Sequence, residues 1–357
     1  MTRVLAVRMD GMGDVLLTGP AVRALAAGAT RVDYLTSTAG AAAAELLPGV
    51  TEVIAYDAPW IGQPCRSSFA GEVAVLVARL RGKYDEAVVF TSYHQSPLPT
   101  AMVCRLAGVP RITGTSDASP GSLLDVRHRR LGDGHGNDVD DDGGDTGGHE
   151  VEAALRLVAA AGHPLPAHDD ARLRLTAPAP ERLALPDRYV VVHPGASVPA
   201  RGIGADLTRD AVLALLATGH RVVLTGDRAD RVMVRNLPRD GVTDLIGRTD
   251  LRRLCQVLAG ASATVAGNTG AAHLAASVGT PVVSIFAPVV PAARWRPWGV
   301  PHVLLGDQRA GCAGTRARVC PLPGHPCMRG VTGMDVVDAV ERLTGRDAPL
   351  PEVSCAS

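Results

Sequence analysis

A glycine-containing loop with two carboxylates follows the first apolar segment of the chain. Residues 4–7 are apolar and favour a β-strand, and the loop places Asp10 and Asp14 around Gly11 and Gly13. It lacks the third glycine of a dinucleotide fingerprint, and its carboxylates would repel a pyrophosphate, which excludes NAD at this loop. Asp14, at the start of the next helix, fits a general base; a helix N-cap is the alternative that aspartate commonly serves.

A second loop could receive phosphate oxygens. A predicted strand ends at 193–195, and the small residues Gly195, Ala196 and Ser197 leave backbone N–H groups accessible. Arg201 follows at a distance from which it could stabilise the charge of a leaving diphosphate. The alternative is a plain turn with a surface arginine.

A third loop joins a short apolar strand, 264–266, to a helix. Asn268, Thr269 and Gly270 offer amides and a hydroxyl to the sugar or phosphate of a nucleotide-linked donor. His273 lies about one helical turn further on and could reach the same ligand. The alternative for a single histidine is a purely structural role.

Three cysteines near the C-terminus form a further group. Cys312, Cys320 and Cys327, together with His325, could in principle hold zinc. They lack the closely spaced C-x-x-C pair of structural zinc sites, so we predict a buried loop with free thiols and no metal site.

Strand and helix patterns alternate along the chain and define how these loops are positioned. The alternation predicts an α/β protein with two doubly wound parallel sheets, whose ligands bind at the carboxyl ends of the strands, in a cleft between the domains. The predicted parts are an N-terminal domain (1–165) with a flexible Gly/Asp-rich loop (132–148), a proline-rich linker (166–187), a second domain (188–330), and a C-terminal helix and tail (331–357) that packs back on the N-terminal domain.

Composition excludes several classes of protein. The 36 basic and 36 acidic residues cancel, which disfavours nucleic-acid binding. No apolar run is long enough to cross a membrane, and seven scattered cysteines favour a reducing, cytoplasmic location. Serine-hydrolase, zinc-protease and P-loop motifs are also missing from the sequence.

Taken in order, these segments resemble the ADP-heptose heptosyltransferases of glycosyltransferase family 9. The resemblance covers about residues 3–330 and is carried by the opening strand with 11–21, by 193–197 with Arg201, and most strongly by 267–276 continuing to 283.

The resemblance implies a GT-B fold, in which two Rossmann-like domains face each other across a cleft. The N-terminal domain would hold an acceptor and the C-terminal domain ADP-heptose, and the transfer would be inverting and metal-independent, with the ADP-sugar as co-substrate and no cofactor. Asp14 would be the catalytic base, on an acceptor-side loop of Gly11, Met12 and Gly13. The implied donor-binding residues are Gly195, Ala196, Ser197, Arg201, Thr249 (at the adenosine end), Asn268, Thr269, Gly270 and His273.

Two departures from the family pattern concern the sugar more than the reaction. Residues 202–204 replace the usual Trp-Pro, and Asn268 replaces the usual aspartate, although an asparagine can still bond a sugar hydroxyl. The acceptor stays open between a glycan, a lipid-linked molecule and a small molecule, with at most peripheral membrane contact. The alternatives are another GT-B enzyme such as a nucleotide-sugar epimerase, and a catalytically silent nucleotide-sugar-binding protein.

Overall fold

The computed structural model describes residues 2–61, 68–129, 148–176 and 183–345. The chain divides into two compact units, Met1–Ala177 and Pro178–Ser357, and this division falls within the segment 166–187 predicted as a linker. Of the predicted Gly/Asp-rich loop, only Gly148 lies within the described residues.

Six parallel strands form the sheet of the first unit, in the order β3-β2-β1-β4-β5-β6. The strands are β1 (Arg3–Arg8), β2 (Arg31–Thr36), β3 (Glu52–Ala55), β4 (Glu86–Val89), β5 (Arg111–Thr115) and β6 (Val126–His128). The helices are α1 (Met12–Leu17), α2 (Gly19–Gly28), α3 (Thr38–Ala44), α4 (Phe69–Leu80), α5 (Leu98–Leu106) and α6 (Glu150–Ala160). The apolar side chains of β1 are fully buried, as expected for a central strand covered on both faces.

The second unit repeats this arrangement with the strand order β12-β11-β10-β7-β8-β9. Its strands are β7 (Val190–His193), β8 (Val222–Leu224), β9 (Val242–Asp244), β10 (Ala263–Gly267), β11 (Val282–Ile285) and β12 (His302–Leu305). Its helices are α7 (Ala205–Ala217), α8 (Leu251–Ala259), α9 (Gly270–Ser277), α10 (Ala292–Trp295), α11 (Pro326–Arg329) and α12 (Gly333–Thr344).

Numbered within its own unit, each sheet has the Rossmann order 3-2-1-4-5-6. The order reverses between β1 and β4 in the first unit and between β7 and β10 in the second. In doubly wound sheets, ligands bind outside the carboxyl ends of the strands at such a reversal. The loops singled out in the sequence follow β1, β7 and β10, so each begins at one of these two points.

Pro20 lies where the first helical segment divides in two. The helix α1 ends at Leu17, and α2 begins at Gly19 with Pro20 in its first turn. Proline fits there because a first-turn residue needs no intrahelical N–H bond. As a result, α1 is a short helix of six residues with Asp14 in its first turn.

Part of the predicted linker is bound to the first unit. Arg23 of α2 forms two hydrogen bonds to Asp169, of 2.6 and 2.8 Å, and the N–H of Thr176 donates to the carbonyl of Leu46 at 2.7 Å. Residues up to Thr176 thus lie against α2 and the end of α3.

The C-terminal helix α12 packs in the second unit. Its buried side chains, including Val336, Val337 and Val340, join the core of that unit together with Val212 and Leu215 of α7. The prediction that this segment packs back on the N-terminal domain is therefore wrong for α12, because its apolar face is used by the second core. Residues 346–357 of the predicted tail lie outside the described residues.

Within the described ranges, no helix combines the length and the apolar character that a membrane span requires.

We expect Asp169→Asn to lower the free energy of unfolding of the first unit by about 1–3 kcal/mol at neutral pH. The hydrogen bonds from Arg23 lower the pKa of Asp169 from 3.8 to about 2. Because the pKa is depressed, the charged carboxylate stabilises the fold fully above pH 3.8, and this stabilisation is lost as the pH falls towards 2. Urea denaturation from about pH 7 to about pH 2.5 should therefore show the wild type and the variant converging at the acid end.

Asp170→Asn is the matched control, because Asp170 is half-exposed and pairs with the half-exposed Arg174 at 2.8 Å. Its loss should stay within about 0.5 kcal/mol. Equal losses for the two variants would contradict the assignment of Asp169 as the residue that holds this segment.

Candidate active site

The first candidate loop begins at the carboxyl end of β1. The N-cap of α1 is Gly11, and Asp14 lies in the first turn of the helix. The alternative interpretation of Asp14 as the N-cap is therefore wrong. Gly11, Met12, Gly13 and Asp14 are all half-buried, which places the predicted acceptor-side loop at the surface of this edge.

Arg8, the last residue of β1, is buried and faces three carboxylates with three different nitrogens. Its Nε lies 2.6 Å from Oδ2 of Asp10, its Nη2 lies 3.1 Å from Oδ1 of Asp14, and its Nη1 lies 3.6 Å from Oε2 of Glu150. Burial by itself lowers the pKa of Arg8, but the three carboxylates more than offset this, and the pKa is raised. Arg8 is a permanent buried cation.

Two residues that follow β4 complete this arrangement. Arg8 Nη2 donates to Oγ of Ser92 at 2.7 Å, and the N–H of Ser92 donates to Oε1 of Gln95 at 3.0 Å. Gln95 Nε2 then donates to Oδ1 of Asp10 at 2.6 Å. These bonds join the ends of β1 and β4, the two strands between which the strand order reverses.

The three carboxylates differ in exposure. The side chain of Asp14 is 31% exposed, that of Asp10 is 16% exposed, and that of Glu150 is 2% exposed. Asp14 is therefore the member of this group best placed to contact a bound molecule.

The second and third candidate loops touch each other. Gly195, Ala196 and Ser197 lead from β7 into a short 3₁₀ turn, Pro199–Arg201. A Cβ on Gly267, the last residue of β10, would overlap the carbonyl oxygen of Arg201. Only glycine allows this close approach of the two loops.

Asp230 is a residue at this edge that the sequence reasoning missed. Its carboxylate lies so close to Gly195 that a Cβ there would overlap it, and its Oδ2 accepts the N–H of Asp227 at 2.7 Å. Asp227 directly follows Gly226, two residues after the end of β8. This Gly-Asp pair was the only sequence signal that a functional carboxylate could lie in this loop. The structure thus places the half-buried carboxylate of Asp230 beside Gly195 of the second loop.

Two polar atoms at the start of α9 have no hydrogen-bond partner among the residues that the structure describes. Thr269 is the N-cap residue but makes no side-chain capping bond, and its Oγ1 and the Nδ1 of His273 are buried without a hydrogen bond among the described residues. Such atoms are uncommon and usually have a functional reason. Together with Gly270 and the positive end of the helix dipole, they suit an anionic or hydroxyl-rich ligand.

Arg201 lies close enough to His273 to affect its pKa. Burial and the nearby Arg201 lower the pKa of His273 to about 4. The ring is therefore neutral at physiological pH and can donate or accept one hydrogen bond at each nitrogen. The structure brings Arg201, Thr269 and His273 together around Gly267, and their role in binding a donor stays a prediction.

The amide of Asn268 is used inside the protein. Its Nδ2 donates to the carbonyl of Ala287 and its Oδ1 accepts the N–H of Ala287, both at 3.2 Å, and the residue is 6% exposed. Since Ala287 lies just beyond β11, this pair ties the ends of β10 and β11 together. Asn268 thus positions the third loop, and its contact with a sugar stays a prediction.

Thr249 lies further out on the same edge of the sheet. It precedes Asp250, the N-cap of α8, and follows β9, which is two strands away from β7. The N–H of Gly247 donates to the carbonyl of Gly226 at 2.8 Å, so the loops after β8 and β9 are connected. The predicted contact of Thr249 with adenosine remains a prediction.

The cysteine group consists of free thiols. Cys312 and Cys327 are buried, and burial together with the neighbouring Cys312 raises the pKa of Cys327 to about 12. Nε2 of His325 lies 3.1 Å from the carbonyl oxygen of Ala200. Over the described ranges, no cluster of three or more His, Cys, Asp or Glu side chains is arranged to hold a metal ion.

We expect Asn268→Asp to destabilise the second unit by about 1–3 kcal/mol at pH 7. An aspartate can accept the N–H of Ala287 but sets its other oxygen against the carbonyl of Ala287. Protonation restores a donor, so the loss should shrink as the pH is lowered towards about 4. Thermal unfolding across this pH range measures it.

Asn236→Asp makes the same charge change on an exposed residue of the same unit. We expect it to be nearly neutral. If both variants lose stability equally, and with the same pH dependence, the amide of Asn268 is not what ties these strands together.

Comparisons with known proteins agree with this architecture. The family model described as glycosyltransferase family 9 (heptosyltransferase) matches residues 76–325. Lipopolysaccharide heptosyltransferase 3 of Escherichia coli K12 is 27% identical over 175 residues, which are 47% of this chain and 50% of that protein. The chain thus spans about half the length of this curated relative.

Solved structures match almost the whole chain. The ADP-heptose LPS heptosyltransferase II of E. coli superposes with a TM-score of 0.69 at 19% identity, covering 96% of this chain and 99% of that one. A family 9 glycosyltransferase from Veillonella parvula DSM 2008 gives 0.70 at 16% identity, covering 97% and 98%. These matches and the two Rossmann-like sheets identify the GT-B fold. Because the family model covers more than half of the sequence, the chain belongs to glycosyltransferase family 9.

Proposed function

We propose that this protein is an inverting glycosyltransferase that moves a heptose from ADP-heptose to an acceptor hydroxyl. The observation that carries the proposal is the partly exposed carboxylate of Asp14, held at the strand-order reversal of the first sheet by a buried arginine. Family membership supports sugar transfer, and the names of the relatives support heptose as the sugar and a glycan as the acceptor.

In the proposed reaction, Asp14 removes the proton of the acceptor hydroxyl as that oxygen attacks the anomeric carbon. The new bond forms between this oxygen and the anomeric carbon, and the bond to the diphosphate oxygen breaks on the opposite side. The proton ends on Asp14 and the bonding electrons leave with ADP. A single displacement of this kind inverts the configuration at the sugar.

The second unit supplies the donor-binding residues in this proposal. Thr269, Gly270 and the start of α9 receive the diphosphate, and the unpartnered atoms of Thr269 and His273 bond to it or to the sugar. Arg201 offsets the charge that develops on the departing ADP, so the protein itself supplies the positive charge. His273 can serve as a neutral donor because its pKa is low.

Asp230 suits the ribose better than the phosphates. A carboxylate beside Gly195 would repel a phosphate placed directly against it, whereas it can accept hydrogen bonds from vicinal hydroxyls. We therefore propose that Gly195, Ala196 and Ser197 contact the nucleotide with Asp230 on the ribose, and that Thr249 lies towards the adenine.

Asp14→Asn should reduce turnover by about 10²–10⁴-fold, because the amide cannot accept the proton. Turnover is measured as ADP release from ADP-heptose, with a truncated core lipooligosaccharide and, separately, small polyhydroxylated molecules as acceptors. Binding of ADP should be unchanged, because the donor-binding residues belong to the other unit.

Asp85→Asn is the matched control, because Asp85 also pairs with an arginine of β1, Arg3, at 3.0 Å, but at the amino end of the strand. It should retain wild-type turnover. Near-normal turnover of Asp14→Asn would remove Asp14 as the base. An absence of transfer by the wild type with every acceptor, despite ADP binding, would favour the silent nucleotide-sugar-binding protein.

A further inference from the structure

Glu150 is a buried carboxylate to which the proposed reaction assigns no role. It begins α6 directly after the N-cap residue His149, and its side chain is 2% exposed, so a substrate cannot reach it. Its Oε2 nevertheless lies 3.6 Å from Nη1 of Arg8, the same guanidinium that holds Asp14. Residues distant in the sequence thus share one buried positive charge.

The number of charges at this guanidinium matters for the chemistry of Asp14. One positive charge alone would stabilise the carboxylate of Asp14 and make it a weaker base. With Asp10 and Glu150 on the other nitrogens, three negative charges compete for one positive charge. Like charges within a few ångströms favour proton uptake by a carboxylate, and Asp14 is the member of the group that a substrate can reach.

Neutral polar groups also lie around the guanidinium. Tyr34 of β2 interacts electrostatically with Arg8, Asp10 and Asp14, but burial raises its pKa, so the phenol is neutral. Its hydroxyl is paired with Oγ1 of Thr18 at 2.7 Å. Ser92 and Gln95, described above, are uncharged. Among the described residues, the carboxylates that the structure pairs with Arg8 are Asp10, Asp14 and Glu150.

We propose that Glu150 is a positioning residue that acts through Arg8 to keep Asp14 both correctly oriented and sufficiently basic. Glu150 draws the guanidinium towards α6 at Nη1, while Nη2 remains directed at Asp14. Its negative charge also reduces the share of the arginine charge that Asp14 experiences. Substrate contact is not part of this role, which rests on the proposed function of Asp14 as the base.

The direct test is the titration of Asp14, followed by NMR in protein labelled with ¹³C at the aspartate carboxyl carbons. The Asp14 signal is identified by its loss in Asp14→Asn. In Glu150→Gln, which keeps the shape of the side chain and removes the charge, we expect the titration midpoint of Asp14 to move to lower pH by about one unit.

Asp10→Asn provides a second variant, should Glu150→Gln fail to fold. It removes another carboxylate from the same guanidinium and should move the Asp14 midpoint in the same direction. Glu86→Gln is the matched control. Glu86 is also a buried glutamate of this unit, paired with Arg111 at 3.2 Å and His163 at 2.8 Å. It is the first residue of β4, however, and so lies at the amino ends of the strands, away from Arg8.

Turnover gives an independent measurement with the acceptor found to support transfer. Glu150→Gln should lower kcat by about 3- to 10-fold, move its acid limb to lower pH, and leave the KM values for donor and acceptor unchanged. Glu86→Gln should lower stability without moving the acid limb.

An unchanged or raised Asp14 midpoint in Glu150→Gln and Asp10→Asn would overturn the proposal, as would an equal shift in Glu86→Gln. The NMR measurement needs no substrate. A lowered Asp14 midpoint in a protein that transfers no sugar would therefore refute the proposed function and leave the charge coupling intact.

Discussion

The reversal of strand order in the middle of each sheet determines where chemistry can occur in this protein. Connections from β1 and β4 leave towards opposite faces of the first sheet, and those from β7 and β10 do the same in the second. The loops that follow these strands therefore diverge, which leaves a crevice at the carboxyl ends of each pair. Arg8, Asp10 and Asp14 follow or end β1, Ser92 and Gln95 follow β4, and the donor-site loops follow β7 and β10.

The two edges differ in electrostatic character. Around Arg8, three carboxylates outnumber one buried cation, an arrangement suited to accepting a proton. At the edge of the second sheet, Arg201, a helix N-terminus and a neutral His273 provide donors and one positive charge, an arrangement suited to a diphosphate. The proposed base and the proposed binding site for the leaving group thus belong to different folding units, each with its own core.

Local patterns were sufficient to predict the loops and the α/β architecture, because these depend on residues close together in the sequence. Contacts between distant residues were not predictable in this way. Glu150 reaches Arg8 through the folding of α6 onto the first sheet, and the amide of Asn268 finds Ala287 only because β10 and β11 are neighbours. The short strands β6, β9 and β12, of three or four residues, are too short to show a periodic pattern. The resemblance to glycosyltransferase family 9 assigned roles to Asp14 and Arg201 that the loops alone left open.

The central claim is that the second unit binds an ADP-sugar through protein groups alone. Calorimetric titration of the full chain with ADP, UDP and GDP in the presence of EDTA tests it most directly. We expect ADP to bind at least about tenfold more tightly than UDP or GDP, a difference of about 1.4 kcal/mol. Preference for UDP or GDP, or no binding of any of the three, would contradict it.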